Sequence, residues 1–230
     1  MKFEPIPGGV YPTLIHPPYL STVKRGPARP PVRIKSSAAT EQLPTFSPEL
    51  MKPIDADLTV HGSGAPLGEK IVLSGRVVDE DGKPVRRSLV EVWQCNSAGR
   101  YFHRRDQHDA PLDPNFYGFG KFYTDDDGRY RFVTIKPGPY PWGNHPKAWR
   151  PAHIHFSLFG NVYAQRLVTQ MYFPNDPLFA FDPIYQSVED AAARDRLCAR
   201  FSMDETVGDE MLGYVWDIVL RGRGATPFEA

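Results

Sequence analysis

The sequence is poor in cysteine. Cys95 and Cys198 are the only two in 230 residues, too few for a disulfide framework. Cys95 follows the apolar run "LVEVWQC" and Cys198 falls in an expected helix, so both read as buried free thiols. Long apolar runs are missing too. No stretch approaches the ~18 residues of a membrane span, and "MKFEPIPGGVYP" lacks the apolar core of a secretory leader. A soluble, cytoplasmic protein is therefore expected. Nor is there an excess of one charge: 27 Lys and Arg balance 27 Asp and Glu, for a net charge of +0. Without a long basic run, nothing supports a nucleic-acid surface. No tandem repeat or low-complexity tract was found.

Proline and glycine, by contrast, are plentiful at 24 and 19 residues, which argues for turns and long ordered loops rather than long helices. Residues 1–66 show no sustained period. "PIPGGVYPTLIHPPYL" cannot be a helix, because proline removes donors and restricts the residue before it. Yet Tyr11, Leu14, Ile15, Tyr19 and Leu20 need cover, so this segment reads as an extended arm packed on the body or on another chain. Residues 67–230 read as one β-sandwich domain. "KIVLSGRVVD", "EDGKP" and "RSLVEVWQC" form a hairpin-type signal, repeated in "GKFYT", "DDDG" and "RYRFVTI". The Asp-rich "TDDDG" lacks the later ligands of an EF-hand and is read as turn chemistry. Further strands are expected at "AHIHFSLFG", "RLVTQMYF" and "VWDIVLRG". One helix is expected from Ser187 to about Arg200, with Ser187 and Asp190 resembling a capping box. Seven or more short, mostly antiparallel strands with Pro-rich connections make the fold class all-β, a sandwich with one or two short helices.

The stretch "WRPAHIHFSLFG" raises the functional question. Side chains alternate along a strand, so His153 and His155 share one face while Ile154 points to the other. Two buried imidazoles on one face need partners, and a metal is one answer. The seven histidines end at His155, so neither a cupin site nor a copper-zinc superoxide dismutase site, which both need a later His, can be completed. A two-His-one-carboxylate Fe(II) site with Asp176 or Asp182 remains open. So does a site using tyrosine. Tyr140 is held in "PGPYP" and Tyr101 follows the turn "NSAGRY", and a phenol with an unperturbed pKa near ~10 becomes phenolate at neutral pH only beside a strong Lewis acid such as Fe(III).

"GRVVDEDGKPV", "VEVWQCNSAGRY", "DPNFYGFG", "TIKPGPYPW" and "WRPAHIHFSLFG" together closely resemble the intradiol ring-cleaving dioxygenases. The similarity runs from about Leu67 to "DIVLRGRGATPFE" and less clearly through the arm. Within that family the match is to iron-bearing chains that cleave protocatechuate. The resemblance implies one non-haem Fe(III) per chain, held by Tyr101, Tyr140, His153 and His155. It implies Tyr140 as ligand and general base in one, and Arg150 as the group stabilising negative charge on the substrate ring. Gln170 would be a polar neighbour, while Tyr19, Trp93, Trp142 and Ile184 would line or support the substrate pocket. The implied reaction joins protocatechuate and O2 to give 3-carboxy-cis,cis-muconate. The implied partner is a homologous alpha subunit, forming αβ protomers in a larger oligomer. Two other readings stand beside it. One is the same chemistry on catechol or hydroxyquinol, whose enzymes usually carry a helical N-terminal segment where this chain has a Pro-rich arm. The other is a non-catalytic sandwich, which would leave the two tyrosines and two histidines without a role and the protein colourless.

Overall fold

The computed structural model describes residues 6–24, 29–30, 32, 56–160 and 166–229. In chain order its strands are β1 (Lys70–Val78), β2 (Leu89–Trp93), β3 (Phe119–Tyr123), β4 (Arg129–Ile135), β5 (Tyr140–Pro141), β6 (Trp149–Arg150), β7 (His153–Phe159), β8 (Arg166–Tyr172), β9 (Arg200–Phe201), β10 (Leu212–Val215) and β11 (Ile218–Val219). Two short helices, α1 (Pro183–Gln186) and α2 (Ala191–Asp195), lie between β8 and β9.

Two sheets face each other. In the first, β1 is flanked by antiparallel β4 on one side and by parallel β10 and β11 on the other, with β9 beyond β10. The second is antiparallel throughout, in the order β3-β2-β7-β8. Ile71, Leu73 and Phe132 from one sheet meet Val90, Val92, Phe156 and Met171 from the other in a single buried cluster. Burying apolar side chains of this size stabilises by about 1.5–3 kcal/mol each. The expected all-β sandwich is present.

The two expected hairpins are not hairpins. The turns are there: Asp79 accepts from the Asp81 and Lys83 amides, and Asp125 accepts from the Asp127 and Arg129 amides. After each turn, however, the chain crosses to the opposite sheet. β1 pairs with β4, while β2 pairs with β3 and β7. Only the bridge Val78–Pro84 remains of the first hairpin. A tight turn constrains the next few residues and not the partner of the strand beyond, which the apolar faces select.

The expected strand "VWDIVLRG" is likewise broken between β10 and β11. The Trp216 amide still donates to the Ser74 carbonyl at 2.9 Å, but its own carbonyl turns away and accepts from the Tyr130 hydroxyl at 2.6 Å. That carbonyl lies against Gly75, where an added Cβ would fall 1.8 Å from it. The Asp217 side chain then takes the Arg76 amide.

The expected helix over 187–200 is shorter. Asp190 is the N-cap of α2, accepting from the Ala193 amide, while Ser187 closes α1 at its C-terminal end. Cys198 falls just past α2, bridging to Tyr172, and is half-buried rather than buried; Cys95 is buried. In the described part of the arm, Val10 packs against Tyr185, Val188 and Leu197. Asn144 clamps the chain around Tyr19 by accepting from the Leu20 amide and donating to the Pro18 carbonyl. Leu14, Ile15 and Leu20 stay exposed. Residues 33–55 of the expected arm lie outside the described residues. Among the described residues, no helix is long and apolar enough to cross a membrane.

Candidate metal centre

β7 is buried on both faces. Ile154, Phe156 and Leu158 enter the sandwich core, so alternation sends His153, His155 and Ser157 to the outer face of the second sheet. Register places Tyr172 opposite His153, and Gln170 and Trp93 on either side of His155. The β5–β6 ribbon carries Tyr140 and Arg150 as direct partners over this face. The turn before Tyr101 is built by Asn96, whose side chain accepts from the Ala98 and Arg100 amides. Gly99 in that turn has φ +81° and an added Cβ would lie 2.3 Å from the Pro139 carbonyl. Only glycine lets these two segments approach so closely.

Four donor atoms converge. The Tyr101 hydroxyl is 3.1 Å from His155 Nε2, the Tyr140 hydroxyl is 3.3 Å from His153 Nε2, and the two phenol oxygens are 3.5 Å apart. Bonds of about 2.0–2.1 Å at angles of 90–120° place neighbouring ligand atoms about 2.8–3.6 Å apart. The spacing therefore suits one small metal ion. The imidazoles are preset for it. His153 Nδ1 lies 2.7 Å from the Pro151 carbonyl, and His155 Nδ1 lies 3.0 Å from Glu229 Oε2. Both partners are acceptors, so each Nδ1 carries the proton and each Nε2 turns its lone pair inward. Trp93 stacks on His155 at 4.9 Å and 5°, fixing the ring plane. Among the described residues no group of three or more His, Cys, Asp and Glu side chains suits a metal. The phenols complete the donor set.

Burial dominates the electrostatics. It holds both histidines below the ordinary imidazole pKa, with the Arg150 charge adding to the effect and Glu229 partly opposing it at His155. Burial also raises both phenols, Tyr101 well above its ordinary value. Without a metal ion the four donor side chains are thus neutral, and a trivalent cation is what would make phenolate favourable there. Arg150 is 3% exposed; burial works against its charge, but Tyr172, Asp182 and Tyr140 outweigh this and keep it firmly cationic. Its Nη2 donates to Gln170 Oε1 at 2.6 Å, the Tyr172 hydroxyl at 3.1 Å and Asp182 Oδ2 at 3.0 Å, and its Nη1 to His153 Nε2 at 3.1 Å.

The carboxylates considered for a two-His-one-carboxylate site are committed elsewhere. Asp182 pairs with Arg150 and caps α1, and Asp176 accepts from the Leu178 and Ala152 amides. Of the remaining expected residues, Trp142 lies under the Arg150 guanidinium at 5.8 Å and meets Tyr19 edge-on at 5.2 Å. Among the described residues, its buried indole nitrogen has no hydrogen-bond partner. Ile184 is buried and borders the same small void as Gln170, Tyr172 and Glu229. Sequence reasoning missed Glu229, Tyr172 and the structural task of Asp182. An open hollow of about 480 Å³ borders Tyr101 and Trp93 and is walled by Phe102, Tyr117 and Phe119. Another of about 550 Å³, around Arg76 and Asp217 on the other sheet, touches none of these residues.

Comparison with known proteins gives the family. Residues 42–222 match the family described as "Dioxygenase", and residues 5–37 match "Protocatechuate 3,4-dioxygenase beta subunit N terminal". The chain is 61% identical over 221 residues to the protocatechuate 3,4-dioxygenase beta chain of Burkholderia cepacia, covering 95% of this chain and 94% of that one. It is 32% identical over 163 residues to the protocatechuate 3,4-dioxygenase alpha chain of Pseudomonas putida, covering 70% and 76%. Among solved structures, the dioxygenase domain of a carbohydrate-binding fusion from Streptomyces sp. SirexAA-E superposes with TM-score 0.53 at 26% identity, covering 78% of this chain and 96% of that one. The chain belongs to the intradiol ring-cleaving dioxygenase family.

Proposed function

We propose that this chain is the iron-bearing chain of an enzyme that cleaves protocatechuate with O2, between its two hydroxylated carbons, to 3-carboxy-cis,cis-muconate, as in the β-ketoadipate route of aromatic breakdown. The observation that carries the reading is the convergence of two phenol oxygens and two inward-facing imidazole nitrogens on one face of β7. The 61% identity to a protocatechuate 3,4-dioxygenase beta chain supports the substrate.

Tyr101, Tyr140, His153 and His155 would hold a non-haem Fe(III). Bound there, the ion would chelate the diol and make its ring reactive toward O2. The residues of the chain do the rest. Tyr140 lies on a two-stranded ribbon outside the main sheets and beside the Arg150 charge, which opposes burial and eases its ionisation. It is therefore the phenolate placed to take a proton from the incoming diol, serving as ligand and base together. Arg150, locked by Asp182, Gln170 and Tyr172, presents fixed positive charge where the deprotonated ring gathers electron density. Trp142 and Tyr19 form an aromatic wall beside it, and Ile184 lines the same small void as Gln170. A homologous alpha chain would cover the exposed Leu14, Ile15 and Leu20 of the arm and complete a larger αβ assembly.

The test is metal analysis, visible absorption and oxygen uptake with protocatechuate and catechol in parallel, on the chain purified with any homologue encoded beside it. Iron, a phenolate-to-Fe(III) absorption band that Tyr101→Phe and Tyr140→Phe each alter, and faster uptake with protocatechuate are expected. A colourless, iron-free protein refutes the proposal, and faster uptake with catechol overturns the substrate alone.

A further inference from the structure

The two imidazoles are supported unequally. His153 donates to a neutral backbone carbonyl, that of Pro151, whereas His155 donates to a carboxylate, Glu229. Glu229 is 74 residues away in sequence, and the segment that delivers it is fastened at every step. The Ala225 carbonyl accepts from Arg196 Nε at 3.0 Å, and Thr226 exchanges two hydrogen bonds with Val219. The Pro227 carbonyl accepts from Thr169 Oγ1 at 2.7 Å, Phe228 stacks on Tyr11 of the arm at 4.8 Å, and the Glu229 amide donates to the Val168 carbonyl at 2.7 Å. Thr169 and Val168 belong to β8, the edge strand of the second sheet. The segment thus covers that edge and at the same time aims a carboxylate at the back of His155.

We propose that Glu229 is a positioning residue that makes His155 the stronger of the two imidazole donors to the metal. This rests on the iron site proposed above. A carboxylate accepting the Nδ1 proton fixes the tautomer, sets the ring orientation and makes Nε2 a better donor, and losing such a partner typically weakens metal binding about 10–100-fold. His155 neighbours Tyr101, and His153 neighbours Tyr140.

The experiment compares Glu229→Gln, Glu229→Ala and Glu229→Asp with the unaltered enzyme, all purified with their partner chain. Iron loss to a competing chelator, the energy of the visible absorption band, and melting of the metal-free protein are followed. Gln keeps an acceptor and drops the charge, so the expected order of iron retention is unaltered, then Asp and Gln, then Ala, with Ala about 10–100-fold weaker. The absorption band of the Gln variant should shift while its metal-free melting stays that of the unaltered chain, which a merely structural role would not produce. Iron retention and absorption unchanged in Glu229→Ala overturn the inference. An unaltered enzyme that holds no iron would instead refute the underlying site.

Discussion

The Arg150–Asp182 pair offers a sharp test of how this site is held. Arg150 is 3% exposed and Asp182 0%, with 3.0 Å between Nη2 and Oδ2. Removing one member of a buried pair costs about 3–5 kcal/mol, because a desolvated charge is left behind. Asp182→Asn isolates that term. Asp182 Oδ1 caps α1 by accepting from the Ile184 amide at 3.1 Å, a contact the Asn carbonyl can keep. The Asn amide must then face the guanidinium, donor against donor. Gln170 and Tyr172 still accept from the same Nη2, so the low end applies, about 3 kcal/mol. In a chain of this length that lowers Tm by roughly 6–12 °C at 2–4 °C per kcal/mol. Differential scanning fluorimetry of the metal-free protein reads this directly. Adding Arg150→Met to Asp182→Asn should restore most of the loss, because no charge is then stranded. A melting point within 2 °C of the unaltered chain for Asp182→Asn alone would refute the view that this ion pair anchors the arginine.

Other perturbations address the same architecture. Both histidines are held neutral by burial, so the unfolded chain binds more protons as pH falls through the ordinary imidazole value near ~6.5. Stability of the metal-free protein should therefore fall as pH drops from 7.5 to 5.5, by up to about 2.7 kcal/mol per pH unit for two groups. Urea midpoints should show that slope, flattened in His153→Asn with His155→Asn; a flat profile in the unaltered chain would contradict buried neutral imidazoles. Gly99→Ala forces a Cβ into the Pro139 carbonyl, so Tyr101 and Tyr140 should separate and iron retention drop at least tenfold with the fold intact by circular dichroism. Trp93→Leu removes the ring stacked on His155; a disturbed visible spectrum with little change in melting is expected, and an unchanged spectrum would deny Trp93 that role.

Much of this was legible because it is local. Alternation along "AHIHFSLFG" put both imidazoles on one face, and β7 bears this out. The spacing of prolines around Tyr140 and the turn before Tyr101 pointed to held phenols, and both lie beside the imidazoles. What stayed hidden is what depends on distant segments. Asp79 and Asp125 announce turns, yet the partner of each following strand is chosen by core packing, so two apparent hairpins dissolve into inter-sheet crossings. Ser187 reads locally as a helix start with Asp190 as its capping-box partner; instead the end of α1 claims the serine and Asp190 itself caps α2. Glu229 carries no local signature at all, and only the tertiary path of residues 225–229 brings it to His155.

Those crossings have a consequence for how the molecule assembles itself. The turns at Asp79 and Asp125 each send the chain across to the other layer, so β1 with β2 and β3 with β4 cannot close as local hairpins, although β7 and β8 pair directly. β1 pairs with β10 some 140 residues further along the chain, and the brace behind His155 comes from 74 residues away. Slow folding follows from such remote pairings, and the metal pocket is complete only when residues 225–229 lie along the β8 edge.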